Sequence, residues 1–108
     1  MTINITGHNV ELGEDLKSYA EEKVLKFVDR LVEPVVCEIV LSDEFGPKGG
    51  KDKLVRITMT LPEEKNPIHV EAQTDDFFGS IDLAENKLER EIEKYKEQVK
   101  IGERHVKE

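Results

Sequence analysis

Apolar and polar residues alternate at the start of the chain, with Ile3 and Ile5 on one side and Thr2, Asn4 and Thr6 on the other, until Gly7 interrupts them. A period of two sends successive side chains to opposite faces, so this stretch predicts a short strand. From about Glu14 the period lengthens: Leu16, Ala20, Val24, Phe27 and Leu31 recur at spacings of four, four, three and four. That is the apolar face of an amphipathic helix. Pro34 ends it, because proline lacks an amide donor and its ring collides with the preceding turn.

Alternation then returns. In "VVCEIVLS" the residues Val35, Cys37, Ile39 and Leu41 share one face, and in "LVRITMTL" so do Val55, Ile57, Met59 and Leu61. Between them "DEFGPKGGKDK" reads as a flexible, solvated connection, punctuated by glycine and proline. After the turn "PEEKNP", the stretch "IHVEAQT" puts Ile68, Val70 and Ala72 opposite His69, Glu71 and Gln73, a fourth strand. A final helix follows, capped by Asp75 or Thr74, with Asp76 placed for its dipole and an apolar stripe of Phe78, Ile81, Leu88, Ile92, Tyr95 and Val99.

The order β-α-β-β-β-α predicts an α+β fold, a four-stranded sheet with both helices packed on one face. A helical crossover makes the first two strands parallel, and the shorter connections favour an antiparallel meander. Residues 1–108 form one domain in this reading, with 102–108 as a flexible tail. The uncovered sheet face carries Asn4, Glu38, Arg56, Thr58, Thr60, His69, Glu71 and Gln73 and no Phe, Tyr or Trp for stacking RNA bases, so any RNA contact falls to the helices.

Composition complicates that possibility. With 24 acidic and 16 basic residues the formal net charge is -8, which predicts solubility and repulsion from polyanions. No stretch approaches the ~18 apolar residues of a membrane span, and no basic region precedes an apolar core at the start, so cytoplasm is the expected location. Cys37 is the only cysteine, which leaves no intramolecular disulfide, and its inward position suits a small core residue better than a nucleophile.

Candidate catalytic chemistry is sparse. His8, His69 and His105 lack ligand spacing with one another or with Cys37, the pair Asp75 and Asp76 is explained by helix capping, and "GPKGG" lacks the ending of a phosphate-binding loop. No catalytic residue, metal site, cofactor or small-molecule substrate is expected. Charge placement says more. On a wheel of about 100° per residue, Lys87, Arg90 and Lys94 make one stripe of the final helix while Asp82, Glu85, Glu89, Glu93 and Glu97 gather on another side. Lys23, Lys26 and Arg30 repeat the three-then-four spacing on a shoulder of the first helix. If the helices lie side by side, the two basic stripes can meet across their groove as one surface of six side chains. From pattern alone a solvated face is favoured over a binding face.

The segments "NITGHNVEL" (Asn4 to Leu12) and "AQTDDFFGSIDLAENKLEREIEKYK" (Ala72 to Lys96), with the element order between them, resemble the ribosome hibernation promoting factors, also called ribosome-associated inhibitors or subunit interface proteins. The most specific run is Asp76, Ile81, Asp82, Leu83, Lys87, Leu88, Arg90, Lys94, Tyr95 and Lys96. The resemblance implies a monomeric, non-enzymatic protein of the short type. Its partner would be the small ribosomal subunit, through ribosomal RNA and with room for ribosomal proteins. It would occupy the messenger and transfer RNA channel and silence translation in stationary phase or stress. The resemblance carries RNA contact onto Lys23, Lys26, Lys87, Arg90, Lys94 and Lys96; Arg30 is added from the stripe. Whether such a protein pairs ribosomes or only silences single ones stays open. The alternatives are a charged protein-interaction module that binds no RNA and, behind it, a small enzyme or metal protein using Asp75, Asp76 and a histidine. Six phosphate contacts would give a log-log salt slope of about four.

Overall fold

The computed structural model describes residues 1–43, 52–62 and 66–107, with side chains of the final helix described through residue 97. Strand β1 (Thr2–His8) leads to helix α1 (Glu14–Leu25) and a 3-10 turn at Val28–Arg30. Strands β2 (Val36–Asp43), β3 (Lys53–Thr60) and β4 (Ile68–Thr74) then precede helix α2 (Phe77–Lys107). The sheet order is β1-β2-β3-β4, with β1 parallel to β2 and the later pairs antiparallel, which is the expected α+β arrangement. Between β1 and α1 the chain doubles back: Asn9 has φ 60°, and a Cβ on Gly7 would lie 2.8 Å from the Val10 carbonyl oxygen, a contact that glycine alone avoids.

Alternation decides the core. Val35, Cys37, Ile39 and Leu41 face inward from the β2 segment, and Val55, Ile57, Met59 and Leu61 do so from β3; all are buried. Ala20 and Val24 of α1, then Ile81, Ala84, Leu88 and Ile92 of α2, cover that face. The outer strand β1 is less enclosed, since Ile3 and Ile5 are only partly buried. Burial, assisted by the neighbouring Glu38 charge, pushes the Cys37 thiol up to about 12. The thiolate is the reactive form, so Cys37 stays protonated at neutral pH. The folded protein is therefore expected to resist iodoacetamide at pH 7.5, with a single mass addition only after denaturation. Rapid labelling of the native state would contradict this core.

Several local expectations change. Helix α1 stops at Leu25, so Phe27 and Leu31, though at helical spacing, follow the helix; Phe27 still reaches the core because the chain tightens around it, with the Phe27 amide bonded to the Val24 carbonyl at 3.1 Å. Phe78 leaves the inner stripe: it is 40% exposed and meets Tyr19 edge to face, with centroids 5.0 Å apart, while Phe77 packs against the core. The cap of α2 is Asp76, one or two residues past the expected positions. Its carboxylate accepts the Gly79 amide at 3.0 Å, and the Thr74 hydroxyl in turn donates to the Asp76 carbonyl at 2.6 Å. Such a cap contributes about 1 kcal/mol. The backbone of residues 102–107, expected as a tail, continues α2. The side chain of Val99, most of the Gly-rich connection and residues 63–65 of the "PEEKNP" turn lie outside what is described.

Candidate nucleic-acid interface

Helix α2 packs over β4 and β3 beside α1. One shoulder therefore faces α1, and the other hangs over the outer edge of β4. The acidic stripe takes the inner side. Lys23 Nζ lies 3.5 Å from Asp82, Lys26 Nζ 3.0 Å from Glu85, and the Arg30 guanidinium 3.3 Å from Glu89 and 3.9 Å from Glu93. The first three pairs keep one offset of 59 residues, so the helices run parallel and in register.

This seam rests on aromatic rings. Lys23 sits 4.9 Å from the Tyr19 centroid, and Lys26 and Arg30 approach the Phe27 ring at 5.1 and 5.7 Å. The Tyr19 hydroxyl donates to Asp82 at 2.5 Å, which raises the phenol above its ordinary value. The charge of Glu85, with those of Tyr19 and Asp82, raises the Lys23 ammonium against the opposing cost of burial. Glu85 is only 8% exposed, and Lys26 is the cation within ion-pair distance that offsets the cost of burying its carboxylate.

The two basic stripes consequently do not join. Lys23, Lys26 and Arg30 face α2 and are matched by carboxylates, whereas Lys87, Arg90 and Lys94 lie on the opposite shoulder beside β4. Lys96 belongs to neither group: it lines a small cavity of about 90 Å³ with Arg30, Leu31, Val32 and Tyr95. The physical reason is that carboxylates at matching spacing on α2 offer α1 a far better neighbour than a second row of cations.

On the outer shoulder the balance differs. Lys87 Nζ donates to the Glu71 carbonyl at 2.8 Å, covering one acceptor on the open edge of β4. Among the described residues no carboxylate lies within ion-pair distance of Lys87 or Arg90, and Lys94 has only exposed Glu91 at 3.5 Å. Glu71 itself is engaged by Arg56 at 3.0 Å on the uncovered sheet face. The result is a local cationic strip on an anionic molecule. Beneath it run two adjoining grooves of about 370 and 380 Å³, both touched by His69, Glu91 and Lys94.

The His69 side chain takes the uncovered face of β4, as the alternation predicts, where its imidazole lies 2.9 Å from the Thr58 hydroxyl and 3.4 Å from the Glu71 carboxylate. Among the described residues no group of three His, Cys, Asp or Glu side chains converges for a metal, and no helix is long and apolar enough to cross a membrane.

Comparison with known proteins adds a second line of observation. The sequence pattern described as "Sigma 54 modulation protein / S30EA ribosomal protein" matches residues 3–100. A ribosome hibernation promotion factor of Bacillus subtilis is 32% identical over 99 residues, covering 92% of this chain and 50% of that protein. The chain thus spans about half the length of the curated relatives it matches. A ribosomal subunit interface protein from Coxiella burnetii superposes with TM-score 0.71 at 27% identity, over 89% of this chain and 98% of that one. The N-terminal domain of Protein Y from Thermus thermophilus gives TM-score 0.73 at 26% identity, over 88% and 99%.

Proposed function

Because the chain belongs to the sigma 54 modulation protein / S30EA ribosomal protein family, we propose that it is a non-enzymatic ribosome hibernation factor of the cytoplasm. In this reading it binds the small ribosomal subunit as a monomer, lies in the channel used by messenger and transfer RNA, and inhibits translation when growth stops. The observation that carries the proposal is the strip of Lys87, Arg90 and Lys94, three cations held on a rigid helix with little carboxylate opposition. Phosphate contacts position a protein on RNA, and a folded domain fixed in the channel excludes other occupants by its volume alone. No bond need be made or broken.

Lys23, Lys26 and Arg30 enter this reading chiefly as the clasp between the helices. Each would have to exchange a carboxylate for a phosphate before touching RNA. With three phosphate contacts instead of six, the log-log salt slope is expected near two, taking the single-strand coefficient of about 0.7 per contact. The test is sedimentation with purified small subunits across a salt series, paired with a translation assay in a purified system. Salt-sensitive pelleting with dose-dependent inhibition supports the proposal, and a slope near zero opposes it. Binding that survives RNase treatment with protein partners retained would favour the charged protein-interaction module.

A further inference from the structure

At its N-terminal end the seam between the helices closes on two rings instead of an ion pair. Tyr19 and Phe78 keep the offset of 59 residues that also matches Arg30 with Glu89, and their rings meet edge to face with centroids 5.0 Å apart. Tyr19 is fixed by its hydroxyl bond to Asp82, and Phe78 leans on it while remaining 40% exposed. The pair already holds one cation, since Lys23 Nζ lies 4.9 Å from the Tyr19 centroid. The exposed Phe78 ring offers the same kind of surface to a cation from outside.

Carboxylates frame these rings. Asp15 stands one turn before Tyr19, Glu22 three residues after it, and Asp75 three residues before Phe78. All three are exposed, and among the described residues none has a cation within ion-pair distance. The dipole of α1 accounts for Asp15 in its first turn but not for Glu22, because the effect fades beyond that turn.

We propose that this end of the helix pair is a docking surface for an arginine-rich polypeptide segment, with one guanidinium on the Phe78 ring and its neighbours at Asp15, Glu22 and Asp75. Arginine suits the ring better than lysine because its planar, weakly hydrated head group can stack. RNA is repelled from this end, so the surface is separate from the cationic strip and does not depend on it. The net charge of -8 thereby acquires a role, as the domain presents opposite signs to two kinds of partner.

A fluorescein-labelled nona-arginine peptide is titrated by anisotropy over a salt series against the wild type and four variants. These are Phe78→Leu, Phe78→Tyr, Asp15→Asn with Glu22→Gln, and Lys87→Gln. Phe78→Leu keeps an apolar contact with Tyr19 but has no ring, and is expected to weaken binding about fivefold with the salt dependence unchanged. Phe78→Tyr binds as the wild type does, a recovery that a merely apolar role would not separate from Phe78→Leu. Asp15→Asn with Glu22→Gln weakens binding and flattens its salt dependence, because two screened attractions are gone. Lys87→Gln binds no less tightly than the wild type. Wild-type affinity in Phe78→Leu or in the Asp15 and Glu22 variant would mean that overall charge alone holds the peptide, and overturns the proposal. So does absence of binding to the wild type. The hibernation reading, tested on ribosomal subunits, is untouched by either result.

Discussion

Reversing Lys87 and Arg90 together, as Lys87→Glu with Arg90→Glu, is expected to weaken association with small ribosomal subunits by on the order of a hundredfold or more at physiological salt. The two residues are the described cations of the strip without a carboxylate partner. Their reversal replaces two attractions to phosphate by two repulsions. Stability should fall by no more than about 1 kcal/mol, because both side chains are exposed and away from the core and the one bond lost is that of Lys87 to the Glu71 carbonyl. Co-sedimentation beside a thermal melt reads both quantities. Equal pelleting of the double variant and the wild type would remove the physical basis for placing RNA on this shoulder. The corresponding neutralisation at the C-cap of α1, Lys26→Gln, should act the other way round. It lowers the melting temperature by leaving Glu85 buried without its ammonium, and it leaves the salt slope of binding nearly unaltered.

The second large effect concerns stability. Phe27→Ala is expected to cost about 3–5 kcal/mol, as for other buried aromatic truncations, against a total of about 5–15 kcal/mol for a domain of this kind. Phe27 is fully buried and sits just past the end of α1, where its ring closes the core and supports Lys26 and Arg30. Removing it leaves a cavity and also loosens two of the three cations of the interhelical seam. Urea denaturation followed by circular dichroism gives the magnitude. A loss below about 1 kcal/mol would mean that the ring does not occupy the core as described.

These two predictions fall on residues of different legibility. Phe27 belongs to an apolar series visible in the sequence, and its burial follows from spacing even though α1 ends before it. Lys87 and Arg90 were visible as a stripe, but so were Lys23, Lys26 and Arg30, and nothing within either helix separates the two sets. A complementary signal was present: Asp82, Glu85 and Glu89 repeat the three-then-four spacing of Lys23, Lys26 and Arg30. Read together, the series match as partners in register, as the seam shows. Read separately, they look like two solvated faces. Phe78 fails for a related reason. It lies on the margin of the apolar stripe, where a small rotation of the helix decides between core and surface, and contact with Tyr19 draws it toward α1.

The amino-acid sequence by itself determined the elements, their order and the inward face of each strand, because those depend on periods of two and near 3.6 that are properties of a local chain. It also determined that cations and carboxylates occupy different sides of the final helix. Which side meets a neighbour was decided only by the tertiary structure. A wheel measures angles about one axis, whereas pairing depends on where the second axis lies, and that follows from the parallel crossover, the antiparallel meander and the return of α2 over β4. Those long-range choices turned one basic stripe into an internal clasp and left the other exposed at the sheet edge.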